Sequence, residues 1–340
     1  MFQQFEWPVI QAPMAGVSTP AMAAAVAAAG GVGSLGVGAM SPAQARAAIG
    51  ETRARAAGRL NVNVFCHAPA RRDEAREQAW LARLRPAFAE VGAQPPAGLA
   101  EIYKSFLDDP EMLAVLVETR PEIVSFHFGL PRPGQVAALR AVGCALVCTA
   151  TSLEEASAAA AAGMDAVVAQ GWEAGGHRGT FDPDAEDTRL GSFALTRVLV
   201  RALEIPVIAA GGIMDGAGVA AALRLGAVAA QLGTAFVAAE ESAAEPAYRA
   251  ALLGAPARHT VMTRAISGRP ARCLANRFTA VAGEDAPAYP VAYDAGKALH
   301  AAAKAKGDHG YGAYWAGQGA PLARALPVAR LIAALKDEMR

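Results

Sequence analysis

Residues 152–171, SLEEASAAAAAGMDAVVAQG, hold one complete repeating unit of this chain. Ser152 stands three residues before Glu155, the spacing of a capping box, in which each side chain satisfies a free backbone N–H of the other. Alanine then fills a helix interior, and Gly163 supplies the left-handed stop. Residues 166–170 follow as a short continuous apolar run, the mark of a strand covered on both faces. A second copy begins at Asp215, runs through an alanine-rich stretch to Gly226, and continues into residues 227–231. Both copies end in glutamine followed by a glycine-bearing turn.

The same beat extends outward. Apolar runs lie at residues 9–11, 32–37, 60–65, 123–128, 145–149, 166–170, 207–210 and 229–232. Eight strand–helix units in roughly 250 residues match the size of a closed (β/α)8 barrel. An open, doubly wound sheet is the rival, and Gly31, Gly33 and Gly36 do spell G-x-G-x-x-G. There, however, the alanine helix precedes the glycines and a strand runs through them, the wrong order for a dinucleotide loop. The chain therefore reads as an α/β protein, a TIM barrel over residues 1–238. An excursion around 66–120 includes a proline-rich piece at 93–98. Residues 239–340, with no further clear strand, read as a smaller, largely helical extension that caps and lines the substrate site.

Composition narrows the function. The 340 residues carry 31 Lys and Arg against 31 Asp and Glu, and only 18% are charged, where about 25% is usual. Without a basic run or net positive charge, nucleic acid and anionic membrane are excluded as partners. No charged residue lies between Trp7 and Ala45, yet Pro8, Pro13, Pro20 and Pro42 interrupt that stretch, so it is not a membrane span. Residues 1–6 lack the positive start of a signal peptide. Cys66, Cys144, Cys148 and Cys273 form no C-x-x-C pair, which argues against a disulfide framework or a thiolate zinc site and fits a reducing cytoplasm. Oligomeric state is left open.

Barrel enzymes work at the carboxyl ends of their strands. Those positions hold Met14, Asn63, His67, His127, Thr149, Thr151, Gln170 with the loop to Gly179, then Gly211, Gly212, Gln231, Gly233 and Thr234. Glycines after strands seven and eight let backbone N–H groups approach a phosphate, although Gly211 and Gly212 also suit a plain tight turn. His177, between glycines, sits on a flexible backbone and suits proton transfer beside a flat ligand, where a lone histidine is otherwise structural. Schiff-base chemistry is disfavoured because Lys104, Lys297, Lys304, Lys306 and Lys336 all fall outside the strands. A metal-dependent hydrolase using His67, His127 and His177 is a minor alternative, without an acidic ligand at the eighth strand. Cys66 beside His67 reads as a buried thiol, since neighbours on a strand face opposite ways.

Several motifs are narrower. These are residues 11–14 (QAPM), 61–67 (NVNVFCH), 170–179 (QGWEAGGHRG), 209–213 (AAGGI), 231–234 (QLGT), 267–272 (SGRPAR) and 315–318 (WAGQ). Together they make the chain similar to the class I nitronate monooxygenases, flavin enzymes also called 2-nitropropane dioxygenases. The resemblance implies noncovalent FMN and oxidation of alkyl nitronates, propionate 3-nitronate in particular, by O2 to a carbonyl compound and nitrite or related nitrogen oxides. It places Met14 near the flavin ring, has Asn63, Gln170, Gly175 and Gly212 hold the cofactor, and brings Gln231, Leu232, Gly233 and Thr234 to its phosphate. His177 matches the active-site histidine, a base toward neutral nitroalkanes. Tyr103, Tyr289, Tyr293 and Lys297 match the substrate pocket. Read from the residues alone, the tyrosines are as readily packing residues, and Pro290 interrupts the helix that would put 289, 293 and 297 on one face. The rivals are an FMN-dependent NAD(P)H:quinone or enoyl-thioester reductase of the same barrel superfamily and a noncatalytic flavin-binding protein.

Overall fold

All eight apolar runs form strands, and the strands close on themselves. A computed structural model of the chain describes residues 7–339, so the reading of residues 1–6 lies outside the described part. In chain order its strands are β1 (Val9–Gln11), β2 (Val32–Gly36), β3 (Arg59–Phe65), β4 (Ile123–His127), β5 (Ala145–Ala150), β6 (Ala166–Gln170), β7 (Gly176–His177), β8 (Val207–Ala210), β9 (Ala229–Leu232), β10 (Thr260–Thr263) and β11 (Ala271–Leu274). The first six with β8 and β9 make a closed parallel barrel, sealed where Val9, Ile10 and Gln11 pair with Ala230, Gln231 and Leu232. Ile10, Val32, Ile123, Val147, Val168, Ile208 and Ala229 pack together in one buried cluster drawn from seven of these strands. Side chains on the opposite faces pack beneath the helices, which is why the runs are continuously apolar.

The G-x-G-x-x-G stretch has a packing cause. A side chain on Gly33 would put its first carbon 2.0 Å from the Ala23 carbonyl oxygen, because the helix Pro20–Ala28 lies directly on β2. The two repeat units also end as their sequences indicate, with Gly163 at φ +83° and Gly226 at φ +97°. The capping box at Ser152 is only half formed. Ser152 accepts from the Glu155 N–H at 3.2 Å, but the Glu155 carboxylate accepts instead from the N–H and hydroxyl of Thr151 and from the N–H of Phe181. It ties the end of β5 to the segment that follows His177.

Beyond residue 238 the sequence reading needs correction, because β10 and β11 are strands and, with β7, form a three-stranded antiparallel sheet. Their sequences, TVMT and ARCL, hide this. The first is only half buried, and the second carries Arg272, buried because its guanidinium donates to the Trp172 carbonyl. Within the excursion, the helix Glu74–Glu90 packs against the helix Val291–Lys304, with Trp80, Leu84 and Phe88 in one core with Ala295 and Leu299. The helix Val328–Glu338 returns to the barrel, packing Leu331 and Leu335 with Trp7, Val26 and Val219. Among the described residues no helix is long and apolar enough to cross a membrane.

Two glycine substitutions test this packing. Gly33→Val should lower stability by several kcal/mol, on the order of ~4, because the clash is with backbone. Gly50→Ala, in the helix Pro42–Arg55 with open space around it, should raise stability by ~0.5–1 kcal/mol. Denaturant unfolding of both variants measures the contrast.

Candidate active site

The carboxyl ends of the strands open into a cavity of about 570 Å³, within the ~300–1,000 Å³ typical of small-molecule sites. Its lining joins strand-end residues to Tyr103 of the excursion and to Tyr289, Tyr293, Lys297 and Trp315 from beyond the barrel. No Asp or Glu is among the described residues that line it.

At one end lie the glycine turns. Gly211 and Gly212 leave β8 with φ of +113° and +72°, and Gly233 follows β9. Among the described residues the N–H groups of Gly212 and Gly233 have no protein acceptor, so two backbone donors are free at this end of the cavity. A side chain on Gly212 would lie 3.2 Å from Glu173 Cβ as well as in the left-handed region. Met14 sits close by, its Sδ 3.7 Å from where a Gly233 side chain would start. Thr234 lines the cavity and accepts from the Gly317 N–H at 3.0 Å. The Leu232 side chain belongs to the buried cluster of Trp7, Met22 and Phe236, because alternate side chains of β9 face opposite ways, which leaves its backbone as the part that can face the cavity end. Gln231 does line the cavity, and among the described residues its side-chain amide has no hydrogen-bond partner.

Asn63 commits its NH2 to the carbonyl and hydroxyl of Ser125, at 3.1 and 2.9 Å. Gln170 behaves differently. Its NH2 donates to the His177 carbonyl at 2.9 Å and its oxygen accepts from the Gly179 N–H at 2.7 Å, so the amide clamps the backbone on both sides of Arg178. Gly175 is a glycine because a side chain there would meet the Gly317 nitrogen at 2.4 Å.

His177 is not on a flexible loop. Gly176 and His177 form β7, paired with Arg272 and Ala271 of β11. Its Nε2 lies 2.8 Å from Ser267 Oγ, while Nδ1 has no protein partner on a residue that borders the cavity. Nδ1 is then the acceptor if Nε2 carries the proton, a tautomer assigned from the hydrogen-bond pattern. Burial, together with His127 and the Arg269 guanidinium, pushes the His177 imidazole down to about 3, so it is neutral. Tyr289, Tyr293 and Trp315 surround it with ring centroids 5.4, 6.0 and 5.0 Å away.

Tyr289 precedes the helix Val291–Lys304, so only Tyr293 and Lys297 share a helical face. The four residues still meet: Tyr103 lies 6.3 Å from Tyr289 and 5.8 Å from Tyr293, and Lys297 Nζ sits 4.9 Å over Tyr103 and 5.6 Å over Tyr293. Burial pushes Tyr103 up to about 12 and raises Tyr289 and Tyr293 as well, which keeps all three as protonated donors. Lys297 makes no ion pair with a carboxylate among the described residues.

His67, His127 and His177 do not converge on a metal. The Phe128 ring stands among them, 6.4, 4.5 and 5.6 Å from the three imidazoles, and no group of three or more His, Cys, Asp or Glu among the described residues could hold an ion. Cys66 lies just past β3 and is buried, and burial raises its thiol well above the ordinary range. Sequence reasoning gave no role to Phe128, Ser267, Arg269 or Trp315. The motifs at 267–272 and 315–318 were the signal that could have pointed to the last three.

Fold and cavity together define a (β/α)8-barrel enzyme whose site carries a cation and no carboxylate. The comparisons narrow this further. A family model described as nitronate monooxygenase matches residues 1–338, and the chain belongs to that family. It is 62% identical over 337 residues to a nitronate monooxygenase of Paraburkholderia phytofirmans, covering 98% of this chain and 92% of the relative. A nitronate monooxygenase of Pseudomonas aeruginosa is 55% identical, with 98% and 96% covered. Among solved structures, the nitroalkane oxidase of Streptomyces ansochromogenes superposes with a TM-score of 0.91 at 42% identity, covering 98% and 96% of the two chains.

Burial pushes His67 and His127 down to about 4, like His177, so all three fold neutral. Each would be protonated in the unfolded chain below its ordinary value of 6.5. Unfolding then takes up protons, and stability must fall as pH drops from about 6.5 toward 4.5. Tm measured across this window should decline, and His67→Phe should remove about one proton's share of the slope. An unchanged slope in that variant would show that His67 is charged in the folded protein.

Proposed function

We propose that this chain is an FMN-dependent nitronate monooxygenase that oxidises alkyl nitronates with O2, propionate 3-nitronate being the substrate, and releases a carbonyl compound and nitrite or related nitrogen oxides. The observation that carries the reading is the charge of the cavity, where Lys297 stands with no lining carboxylate to oppose it. An ammonium that borders the cavity with no carboxylate beside it, solvent-exposed as Lys297 is, draws an anionic ligand toward that side of the site. The family match and the names of the relatives support a nitronate as that anion. Four unpaired, buried cysteines support a reducing compartment, the cytoplasm.

The donor set fits FMN. Free N–H groups at Gly212 and Gly233, with the Thr234 hydroxyl beside them, suit a phosphate. Asn63 offers its amide oxygen and Gln231 its amide group to a flat ring, with Met14 against it, while Gln170 and Gly175 shape the surrounding backbone. Bound there, FMN supplies the electron chemistry between the organic substrate and O2.

The chain's own residues do the rest. Lys297 and the phenol groups of Tyr103, Tyr289 and Tyr293 orient the nitro oxygens, and the aromatic walls exclude water. His177 Nδ1 removes the carbon-bound proton from a neutral nitroalkane. A preformed nitronate has none to lose and is only positioned by the imidazole.

Purified protein should be yellow, release FMN on denaturation and take up O2 with propionate 3-nitronate. NADH added without oxygen should leave the flavin oxidised, whereas rapid bleaching would favour the reductase. His177→Asn should slow turnover of neutral nitroethane by ~10²–10⁴-fold and that of its nitronate by less than about ten-fold. Equal losses would remove the base from the mechanism. Gly212→Val should leave FMN in less than about a tenth of the molecules, since a β-branched residue cannot hold the left-handed turn without strain; absorbance ratios measure it.

A further inference from the structure

The turn joining β10 to β11 sits immediately behind His177. Ser267 and Arg269 are buried, at 0% and 3% exposure, and Gly268 between them has φ +88°. A side chain on Gly268 would meet the Pro287 carbonyl oxygen at 2.2 Å, so the turn is pressed against the segment that carries Tyr289. Ser267 Oγ faces His177 Nε2, donates to the Arg269 carbonyl at 3.3 Å and accepts from the Arg269 N–H at 3.4 Å. With its own proton spent on that carbonyl, the hydroxyl is left to accept from the imidazole.

The Arg269 guanidinium is the anomaly. It donates to the Thr180 carbonyl and lies with Cζ 4.3 Å from the centre of the Phe128 ring, yet its Nε has no acceptor and no carboxylate pairs with it among the described residues. A buried cation left this way is costly unless something else uses its field. Phe128 on the other side faces the cavity, and its ring touches those of His177 and Tyr289, with centroids 5.6 and 5.3 Å away.

We propose that this turn is the positioning element of the site: Ser267 dictates which imidazole nitrogen of His177 faces the cavity, and Arg269, fixed behind Phe128, makes the cavity wall electropositive, so that the imidazole stays uncharged and the ligand is an anion. The inference rests on the role given to His177 above. The titratable and charged groups around that imidazole are His127 from β4, Tyr289, Tyr293 and Arg269, with His67 beside Tyr289 and Lys297 beyond Tyr293. Arg269 in turn feels Arg264, Glu155 and Asp182 at longer range. The lowered values at all three histidines agree with a cation fixed among them.

The test uses purified holoenzyme and the variants Arg269→Lys, Arg269→Met and Ser267→Ala. Nitrogen-15 NMR of labelled histidine reads the titration and tautomer of His177, and calorimetry reads binding of inorganic nitrite. In Arg269→Met the His177 titration should move up by roughly one pH unit or more, and nitrite should bind about ten-fold more weakly, with both restored in Arg269→Lys. Ser267→Ala should turn a single neutral tautomer into a mixture. A folded Arg269→Met with parental titration and nitrite affinity overturns the proposal, as does a single parental tautomer in Ser267→Ala. If Arg269→Met does not fold, parental values in Arg269→Lys together with a tautomer mixture in Ser267→Ala sustain it, and either failing overturns it. None of these measurements requires turnover, so a protein that oxidises no nitronate would sink the proposed function and leave this result readable.

Discussion

Two residue pairs hold the chemistry in place: Ala271 with His177, and Arg272 with Gly176. Without them the ten residues after β6 would be a glycine-rich loop, and the imidazole would have no fixed position. The pairing is short, so side chains reinforce it. Gln170 holds the backbone at His177 and Gly179, while Arg178, 2% exposed and paired with Asp187, donates back to the Gln170 carbonyl. Arg178, Arg189 and Arg272 lie 5.7, 5.3 and 5.2 Å from the Trp172 ring, so one indole face system gathers three guanidinium groups around the same loop. A buried irregular segment must satisfy its own polar groups. Here the satisfied groups are also what aims His177.

Charge in the cavity follows from the same construction. Two cations of the site are held by aromatic faces and a carbonyl group: Lys297 by Tyr103 and Tyr293, Arg269 by Phe128 and Thr180. A carboxylate partner would have neutralised each at its source. An aromatic face stabilises the cation without cancelling its field, so the field reaches the ligand. Burial and the Arg269 field oppose protonation of His177, which would keep the proposed base available in a site proposed to take anions.

How much of this was legible depends on whether a residue's surroundings are local in sequence. The barrel strands announce themselves because both faces are buried, and Gly163 and Gly226 mark helix ends because the left-handed turn is a property of one residue. β10 and β11 were not legible. Arg272 breaks the apolar pattern, and the carbonyl that accepts from its guanidinium belongs to Trp172, a hundred positions earlier, with the Thr260 hydroxyl as a second acceptor. Glu155 looked like half of a capping box because nothing near it in sequence reveals Phe181. The meeting of Tyr103, Tyr289, Tyr293 and Lys297 came from resemblance, since their spacing alone puts Tyr289 on the helix with Tyr293 and Lys297, whereas it lies before that helix begins.

The segment around Trp315 binds the two ends of the cavity into one piece. Gly317 donates to Thr234, and the Gln318 N–H donates to the Glu173 carbonyl. A side chain on Gly317 would meet that carbonyl at 2.7 Å, and one on Gly319 would meet the Gly212 oxygen at 2.9 Å. Backbone therefore lies on backbone at Gly175 and Gly317, while the Glu173 and Met214 side chains stand against Gly212 and Gly319. Trp315, at the start of this strap, rests 5.0 Å from the His177 ring and 6.2 Å from Tyr293. A displacement of the glycine turns after β8 and β9 must then travel through the strap to the aromatic wall, because close-packed backbone transmits strain instead of dissipating it. The turns proposed to hold the cofactor and the wall proposed to hold the substrate are thus joined through the strap, by the Gly317–Thr234 and Gln318–Glu173 hydrogen bonds at one end and Trp315 at the other.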